Sequence, residues 1–458
     1  MREQDRNKDK NRNKDNYKNR NKEKSTNKNS TKNKHDFFLL WLTQTFSGLG
    51  SAMTGYALVI WSYSQKGSAL MTALLMVCTY TPYVLLSIFA GALSDRWDKK
   101  KTMLVCDTAA AATTVLTLTL LHLDMLRIWH LYLMNVINGL MNTIQQPASE
   151  VAVTRLLPKE YYQKAGGLRY ISGALNSILT PVIATAVLGI AGIDTVIAFD
   201  LVSFATAFFV LLCFIRIPQA EQAAEEKESL MQSVSEGIAY LKKERGIFHL
   251  ILFLAAINLV ASIYEAALPA MILSRNGGSQ KALGMVQTVV GVSMLLGGIV
   301  ALLAKEPKSR VRVICNCLLF SMSFENFMLA LGQNPVVWCI GGFLGWMSIP
   351  LMNANLDAVM RLRIPENIQG RIYAVRNSFQ FFTIPIGYCA GGLLVDTVFE
   401  PFMASREQGS IFIKLFGSGK GSGAAFLFLV LAFSGIAVCL YFRRDKAIWK
   451  LEACNENR

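Results

Sequence analysis

The chain has 458 residues, of which 52% are hydrophobic and only 17% charged, and it carries a formal net charge of +15. Soluble domains hold roughly 25% charged residues. Here stretches of about 20 apolar residues, the helix length that crosses a bilayer core, recur between short polar breaks, which excludes a water-soluble globular protein.

In chain order, residues 1–35 come first. They are almost purely Asn, Lys, Arg, Asp and Ser, with Tyr17 the sole aromatic. Such a segment cannot bury enough apolar surface to fold, so a disordered, solvated basic tail is expected. It lacks the aromatics or folded scaffold of a nucleic-acid binder, so no nucleic-acid partner is expected. Its functional alternative is attraction to anionic inner-leaflet lipid.

Six apolar spans follow, at 37–63, 70–92, 102–123, 128–149, 167–190 and 194–216, forming an N-terminal bundle over 36–216. Residues 217–245 read as a cytoplasmic linker, acidic at first and then amphipathic through Ile238, Tyr240 and Leu241. Six further spans, at 246–273, 281–304, 311–332, 335–357, 371–395 and 421–442, form a C-terminal bundle over 246–442, with 443–458 as a cytoplasmic tail. The break at 396–420 ends in a Gly/Ser-rich run. Lys420 is followed there by Gly421, so the run is a flexible loop and not a phosphate loop.

Positive charge orients this all-α, twelve-span protein, because cytoplasmic loops are rich in Lys and Arg. With both termini inside, the inner segments hold 39 of the 46 Lys and Arg and the outer segments seven. Nine scattered cysteines read as small core residues. Cys315 and Cys317, the closest pair, have no third ligand beside them, so no metal is expected.

The halves echo each other. Residues 148–156 align without gaps to 354–362, with Ala148, Val153, Arg155 and Leu156 matched by Ala354, Val359, Arg361 and Leu362, and Pro158 and Pro365 follow. Both segments end the fourth span of their half on the same side, which implies a parallel repeat about an axis along the membrane normal.

Between spans 2 and 3 stands Gly91-Ala92-Leu93-Ser94-Asp95-Arg96-Trp97-Asp98-Lys99-Lys100-Lys101. This resembles the loop signature of the major facilitator superfamily, with Asp98 in place of the second Gly. Asp tolerates left-handed backbone, so a tight turn is expected there. Gln44 through Trp61, Gln146-Pro147-Ala148, Phe199-Asp200, the Gly237–Lys242 stretch and Pro365 through Arg371 are similar to the branch of drug:proton antiporters of macrolide-efflux and enterobactin-exporter type. The chain departs from that pattern at three places. Gly173 and Pro181 of the span 5 antiporter motif remain, but Thr180, Ala184 and Thr185 stand where glycines are usual. Ser51 replaces an Asp, and the loop 305–312 has no Asp-Arg pair.

An ionisable residue inside a membrane is a functional candidate by default. Glu265 in span 7, beside Tyr264, is the leading candidate for proton or substrate binding, followed by Glu325 in span 9. Asp107 in span 3 is expected to join a cytoplasmic charge network, and Asp200 to be structural. Polar residues on spans 1, 4, 7 and 10 (Gln44, Asn135, Asn138, Asn142, Gln145, Gln146, Asn258, Asn353 and Asn355) are further candidates. Asn135, Asn138 and Asn142 recur at helical spacing and are expected on one face.

The resemblance implies a secondary active exporter of amphipathic small molecules, proton-coupled, monomeric, without cofactor or enzymatic activity, in a bacterial cell membrane. The alternative is an importer or facilitator of a small solute on the same fold. It further implies a cytoplasmic gate in which Asp95 meets the N-terminus of span 11, Arg96 reaches Glu150, and Arg155, Asp98, Lys99 and Lys100 complete the cluster around Gly91.

Overall fold

The computed structural model describes residues 2–157, 162–217, 238–275, 278–364 and 369–452. Within these, only the backbone is described for residues 2–33, 87–96, 162–164, 166, 167, 170, 369–371, 373 and 374. The described residues form helices and turns, with no strand among them. The first half holds α1 (Arg2–Lys66), α2 (Ala69–Arg96), α3 (Lys99–His122), α4 (Ile128–Leu156) and α5 (Tyr162–Cys213). The second half opens with α6 (Arg245–Ser274), α7 (Gln280–Leu303), α8 (Arg310–Leu331), α9 (Pro335–Met347) and α10 (Ile349–Arg363). It continues through α11 (Gln369–Phe381), α12 (Thr383–Leu393) and a π-helical turn at Leu394–Phe399. It closes with α13 (Glu400–Ala404), α14 (Ile411–Phe416), α15 (Ser422–Arg443) and α16 (Lys446–Trp449).

Among the described residues, nine helical stretches are long and apolar enough to cross a membrane by length and composition. Three of the twelve expected spans are not counted separately. α5 is one long element that turns back at Gly192, whose φ of 80° suits a residue without Cβ. In α4 the five Asn and Gln between 135 and 146 dilute the hydropathy, and the apolar part of α1 is diluted by Thr, Gln and Ser. Large apolar side chains face outward along the helices, with Val105, Val202, Phe209 and Phe433 all exposed. On a soluble surface such a band would drive association; here it is the lipid-facing coat.

The tail departs from expectation, since its backbone is helical and continuous with the membrane part of α1. Nucleation is the costly step in helix formation, and the apolar segment has already met it. Lys, Arg and Glu then propagate a helix at little cost. Residues 218–237 of the linker, with Pro158 and Pro365, lie outside the described residues. Its far end is ordered against the second half, where Leu241 is buried and Tyr240 Oη donates to Arg363 O at 2.9 Å. The described cysteines are free, but Cys213 and Cys389 are exposed rather than buried as expected. Both lie on apolar membrane helices, where a thiol meets lipid at little cost.

The same packing pattern appears in both halves. α1 lies on α5, α2 on α4, and α3 on α4 and α5. Correspondingly, α6 lies on α12, α7 on α9, and α8 on α9, α10 and α15. The halves meet along two further seams, α5 against α7 and α2 against α12. Lipid supplies no hydrophobic drive between helices, so close approach depends on small residues. On α7, a Cβ at Gly284 would strike Thr185 and one at Gly291 would strike the Ser177 backbone. Gly173 was expected to serve this purpose on α5, but nothing lies near it. The seam is set from the α7 side, with the Pro181 carbonyl lying by Gly284.

Buried Arg275 closes the second half at the end of the molecule where the first half has its α1–α2 turn. Its guanidinium donates to Leu329 O at 3.1 Å, to Ala330 O and to Phe416 O at 2.9 Å. These are the last carbonyls of α8 and α14, which have no partner within their own helices. Burial pulls this group down to about 10, so it remains a cation at neutral pH.

Candidate functional site

Three glycines on α12 create the central arrangement. A Cβ at Gly387 would meet Ser262 and Leu259 O of α6, and one at Gly391 would meet Ile263 O and Ala266. A Cβ at Gly392 would meet Leu70 and Ala73 of α2. α12 is thereby pressed against α6 on one side and α2 of the other half on the other. Tyr388 sits between these glycines. Its hydroxyl donates to Glu265 Oε2 at 2.5 Å, and its ring packs edge-on against Tyr80 of α2, with centroids 5.8 Å apart. A half-buried carboxylate is thus connected through one tyrosine to the opposite half.

Tyr80 also borders a cavity of about 310 Å³ between α2, α4 and the α11–α12 region. Thr79, Tyr83, Asn142, Gln146 and Phe381 contribute to its wall. A second cavity of about 480 Å³ lies between α1, α4 and α5, towards the end that carries the α2–α3 loop. Trp41, Gln44, Thr45, Glu150, Arg169 and Asn176 line it, an apolar wall with a few polar groups.

Several candidate residues take other places than expected. Asn138 does not share the cavity with Asn142; its Oδ1 accepts from Thr113 of α3 at 3.0 Å. Asn135 faces α2, accepting from Thr79 at 2.9 Å. A helix advances about 100° per residue, so this spacing spreads over two neighbours as readily as it holds to one. Asp107 is buried and accepts from Gln145 Nε2 at 2.6 Å. Its partner is an amide on α4 and not a cytoplasmic cation. Glu150 pairs at 2.6 Å with Arg169 of α5, while the side chain of Arg96 lies outside the described residues. Arg169 lies in the first part of α5. Half-buried Arg155 lies at the end of α4.

Glu325 is 3% exposed and accepts from Trp346 Nε1 of α9 at 2.9 Å. It belongs to the core of the second half, away from both cavities. Tyr264 points the same way, its ring against Phe428 of α15, so neighbouring Tyr264 and Glu265 serve different surroundings. Asn258 Nδ2 donates to Gln380 O at 3.1 Å, next to the break between α11 and α12. Asn353 is exposed, while Asn355 is buried and donates to Leu351 O of its own helix. Asp200 accepts from Ser51 at 2.9 Å, a contact within the first half.

In the loop motif, the side chains of Gly91, Asp95 and Arg96 lie outside the described residues. Asp98 is not left-handed. With φ −62° and ψ 119° it is the N-cap of α3, accepting from Lys101 N at 2.9 Å. Lys99 is buried. Lys100 Nζ donates to Leu212 O and Ile215 O at 2.9 and 2.8 Å, beside the end of α5. Here a cation meets a helix C-terminus. The sequence reading missed Tyr80, Tyr388 and Arg169. The Gly387–Gly391 spacing, a Gly-x-x-x-Gly pattern in an apolar span, is the signal that marks Tyr388 as lying at a helix contact.

The model of the Major Facilitator Superfamily matches residues 40–388. Macrolide efflux protein A of Streptococcus pyogenes is 23% identical over 370 residues, covering 80% of this chain and 90% of that protein. Macrolide efflux protein A of Enterococcus faecalis is 23% identical over 326 residues, covering 70% and 99%. The multidrug efflux pump Tap of Mycolicibacterium fortuitum is 22% identical over 365 residues, covering 76% and 87%. Among solved structures, the nucleoside transporter NupG superposes with a TM-score of 0.66 at 14% identity, over 89% of this chain and 99% of that one. The D-xylose-proton symporter superposes with a TM-score of 0.60 at 13% identity, over 89% and 97%. The chain belongs to the Major Facilitator Superfamily and is a membrane transporter, not an enzyme.

Proposed function

We propose that this transporter exports amphipathic small molecules by alternating access, driven by proton entry, from a cell membrane in which both termini face the cytoplasm. The observation that carries the reading is the chain Glu265–Tyr388–Tyr80. With Glu265 ionised, Tyr388 donates to a charge, a hydrogen bond worth about 1.5–3 kcal/mol. With Glu265 protonated, the acceptor is neutral and the bond weakens. Tyr388 bears on Tyr80 across the seam, so loading or releasing the proton alters a contact between the halves. Differential contact of this kind is what a change of state requires.

The relatives named for efflux support export over uptake on the same fold. The apolar cavity towards the α2–α3 end suits amphipathic ligands, and in this orientation it opens to the cytoplasm. At that end Asp95 and Arg96 belong to the gate, Asp95 meeting the N-terminus of α11 and Arg96 reaching Glu150 when the inside closes. The working unit is a single chain. The test is transport into inverted vesicles from a panel of amphipathic drugs, with and without a proton gradient. Glu265→Gln abolishes gradient-driven transport while leaving gradient-free exchange. Full gradient-driven transport by a well-expressed Gln variant removes Glu265 from the coupling.

A further inference from the structure

We propose that Asp396 is a latch between the halves, a carboxylate from the second half that holds the α1–α2 end shut by capping the N-terminus of α2 in the first. The first four N–H groups of a helix have no acceptor within it, and the helix dipole adds positive charge there. In α2, Ser68 serves two of the four. Its Oγ accepts from Met71 N at 3.2 Å and its carbonyl from Thr72 N at 3.4 Å. The other two point to Asp396. Ala69 N donates to Oδ1 and Leu70 N to Oδ2, each at 3.0 Å, and Ser68 Oγ donates to Oδ2 at 2.5 Å. Both carboxylate oxygens are engaged, by donors that all belong to the other half.

The approach to α2 is built into the local backbone. Asp396 lies in the π-helical turn at Leu394–Phe399, which breaks the register of the preceding helix. π-turns of this kind are uncommon and concentrate at functional positions. One turn earlier, Gly392 rests on the backbone of Leu70, where no larger residue fits.

A second carboxylate shows the contrast. Glu400 Oε1 accepts from Gly421 N at 3.0 Å and Ala424 N at 3.2 Å, capping α15. That contact lies wholly within the second half and persists when the halves rock apart. The Asp396 contact crosses the seam, so rocking must break it. It is reinforced nearby by a contact between α1 and α6, where Tyr63 Oη donates to Ala270 O at 3.3 Å and pairs with Ser274 Oγ. Lys420 Nζ lies 5.9 Å from the Tyr63 ring. On opening, the freed N–H groups and the carboxylate regain water, so the latch biases the equilibrium without locking it. Assignment of this end to the outer face rests on the orientation proposed above; the latch itself does not.

The test reads distance and needs neither substrate nor gradient, so its outcome is independent of the export reading. In full-length protein freed of native cysteines, spin labels at Met125→Cys and Glu407→Cys report the separation of the two halves at this end. Both positions are exposed. Asp396→Asn raises the ratio of long to short distances about 5–30-fold. Asp396→Glu, which keeps the charge, falls between Asn and wild type. Ser68→Ala, which removes one donor from the opposite half, shifts the ratio the same way by a smaller factor. A wild-type distribution in Asp396→Asn overturns the latch, as it does in Ser68→Ala should the Asn variant not be recovered from membranes. Loss of transport with an unchanged distribution also overturns it, since Asp396 would then act on substrate and not on closure.

Discussion

Tyr388→Phe removes a single hydroxyl and leaves the ring against Tyr80. The bond lost is an O–H donating to a carboxylate at 2.5 Å. Hydrogen bonds to charged groups contribute about 1.5–3 kcal/mol net. At about 1.4 kcal/mol per tenfold, that corresponds to roughly a 10–150-fold change. The full factor is expected in gradient-driven transport, because on the proposed coupling that activity requires Glu265 to alternate between its charged and neutral forms. Gradient-free exchange holds the proton state fixed and is expected to fall much less. In a Glu265→Gln background the hydroxyl meets a neutral amide. There Tyr388→Phe costs about 0.5–1.5 kcal/mol, or roughly 2–13-fold in exchange. The assay is the initial rate into inverted vesicles per folded molecule, with and without a gradient, across the four variants of this cycle. Wild-type gradient-driven transport in Tyr388→Phe refutes the reasoning. So does an equal loss of both activities, which would make Tyr388 a plain substrate contact.

Arg275→Leu strips three buried carbonyls at the ends of α8 and α14 of their donor. It is expected to destabilise the second half by about 3–5 kcal/mol, read as a lowered thermal midpoint in detergent. Asp445 holds the C-terminal segment, accepting from His249 at 2.6 Å and from Ala447 N at 2.8 Å. Burial raises its pKa, but these hydrogen bonds outweigh that and leave it below the ordinary 3.8. A carboxylate depressed in the fold contributes stability that is present above 3.8 and lost as pH falls through its lower folded value. Hydrogen-exchange protection of α16, relative to the intrinsic rate at each pH, should therefore fall in acid below that range, and already at neutral pH in Asp445→Ala. Deleting residues 1–34 is expected to leave transport per folded molecule within about twofold, because the tail helix has no apolar face to pack against the bundle.

The membrane class, the helical spans and the repeat were legible because each depends on local composition and spacing. The matching ends of α4 and α10 are an instance: Ala148 and Leu156 close one helix as Ala354 and Leu362 close the other. Glu265 was legible because a carboxylate in an apolar run is costly wherever it lies. Its partner was not, since Tyr388 is 123 residues away and reaches it only through the meeting of α6 and α12. The same limit explains Glu150, whose partner depends on where α5 begins, and Asp107, whose neighbour is an amide. Asp98 was misjudged for a different reason. Asp serves equally as a left-handed turn residue and as an N-cap, and the helix that follows decides between them.

The two seams between the halves are built from different materials, and the proposals above place control of the motion on one side. Along α5 and α7 the contact is backbone against small residues, at Gly284 with Thr185 and at Gly291 with Ser177. Such a surface gives close, nonpolar approach with no charged partner to lose, and it can slide or pivot at little cost in polar contacts. Along α2 and α12 the close approach at Gly392 is flanked by two groups whose bonding depends on state. Tyr388 joins Glu265 to Tyr80 midway along the seam, and Asp396 caps α2 at its end. On the proposed coupling, a proton at Glu265 would act on the same α2–α12 pair that Asp396 is proposed to hold shut, about two helical turns along from Tyr388. The tendency of that end to open is then set by two terms on one seam, one responsive to protonation and one constant. If Asp396 supplies the constant term, Asp396→Asn should shift both the protonated and the unprotonated transporter toward opening by a similar factor. Label distances measured in Glu265→Gln, with and without Asp396→Asn, check this. Strongly non-additive effects would show that the two carboxylates act through one contact and not through two.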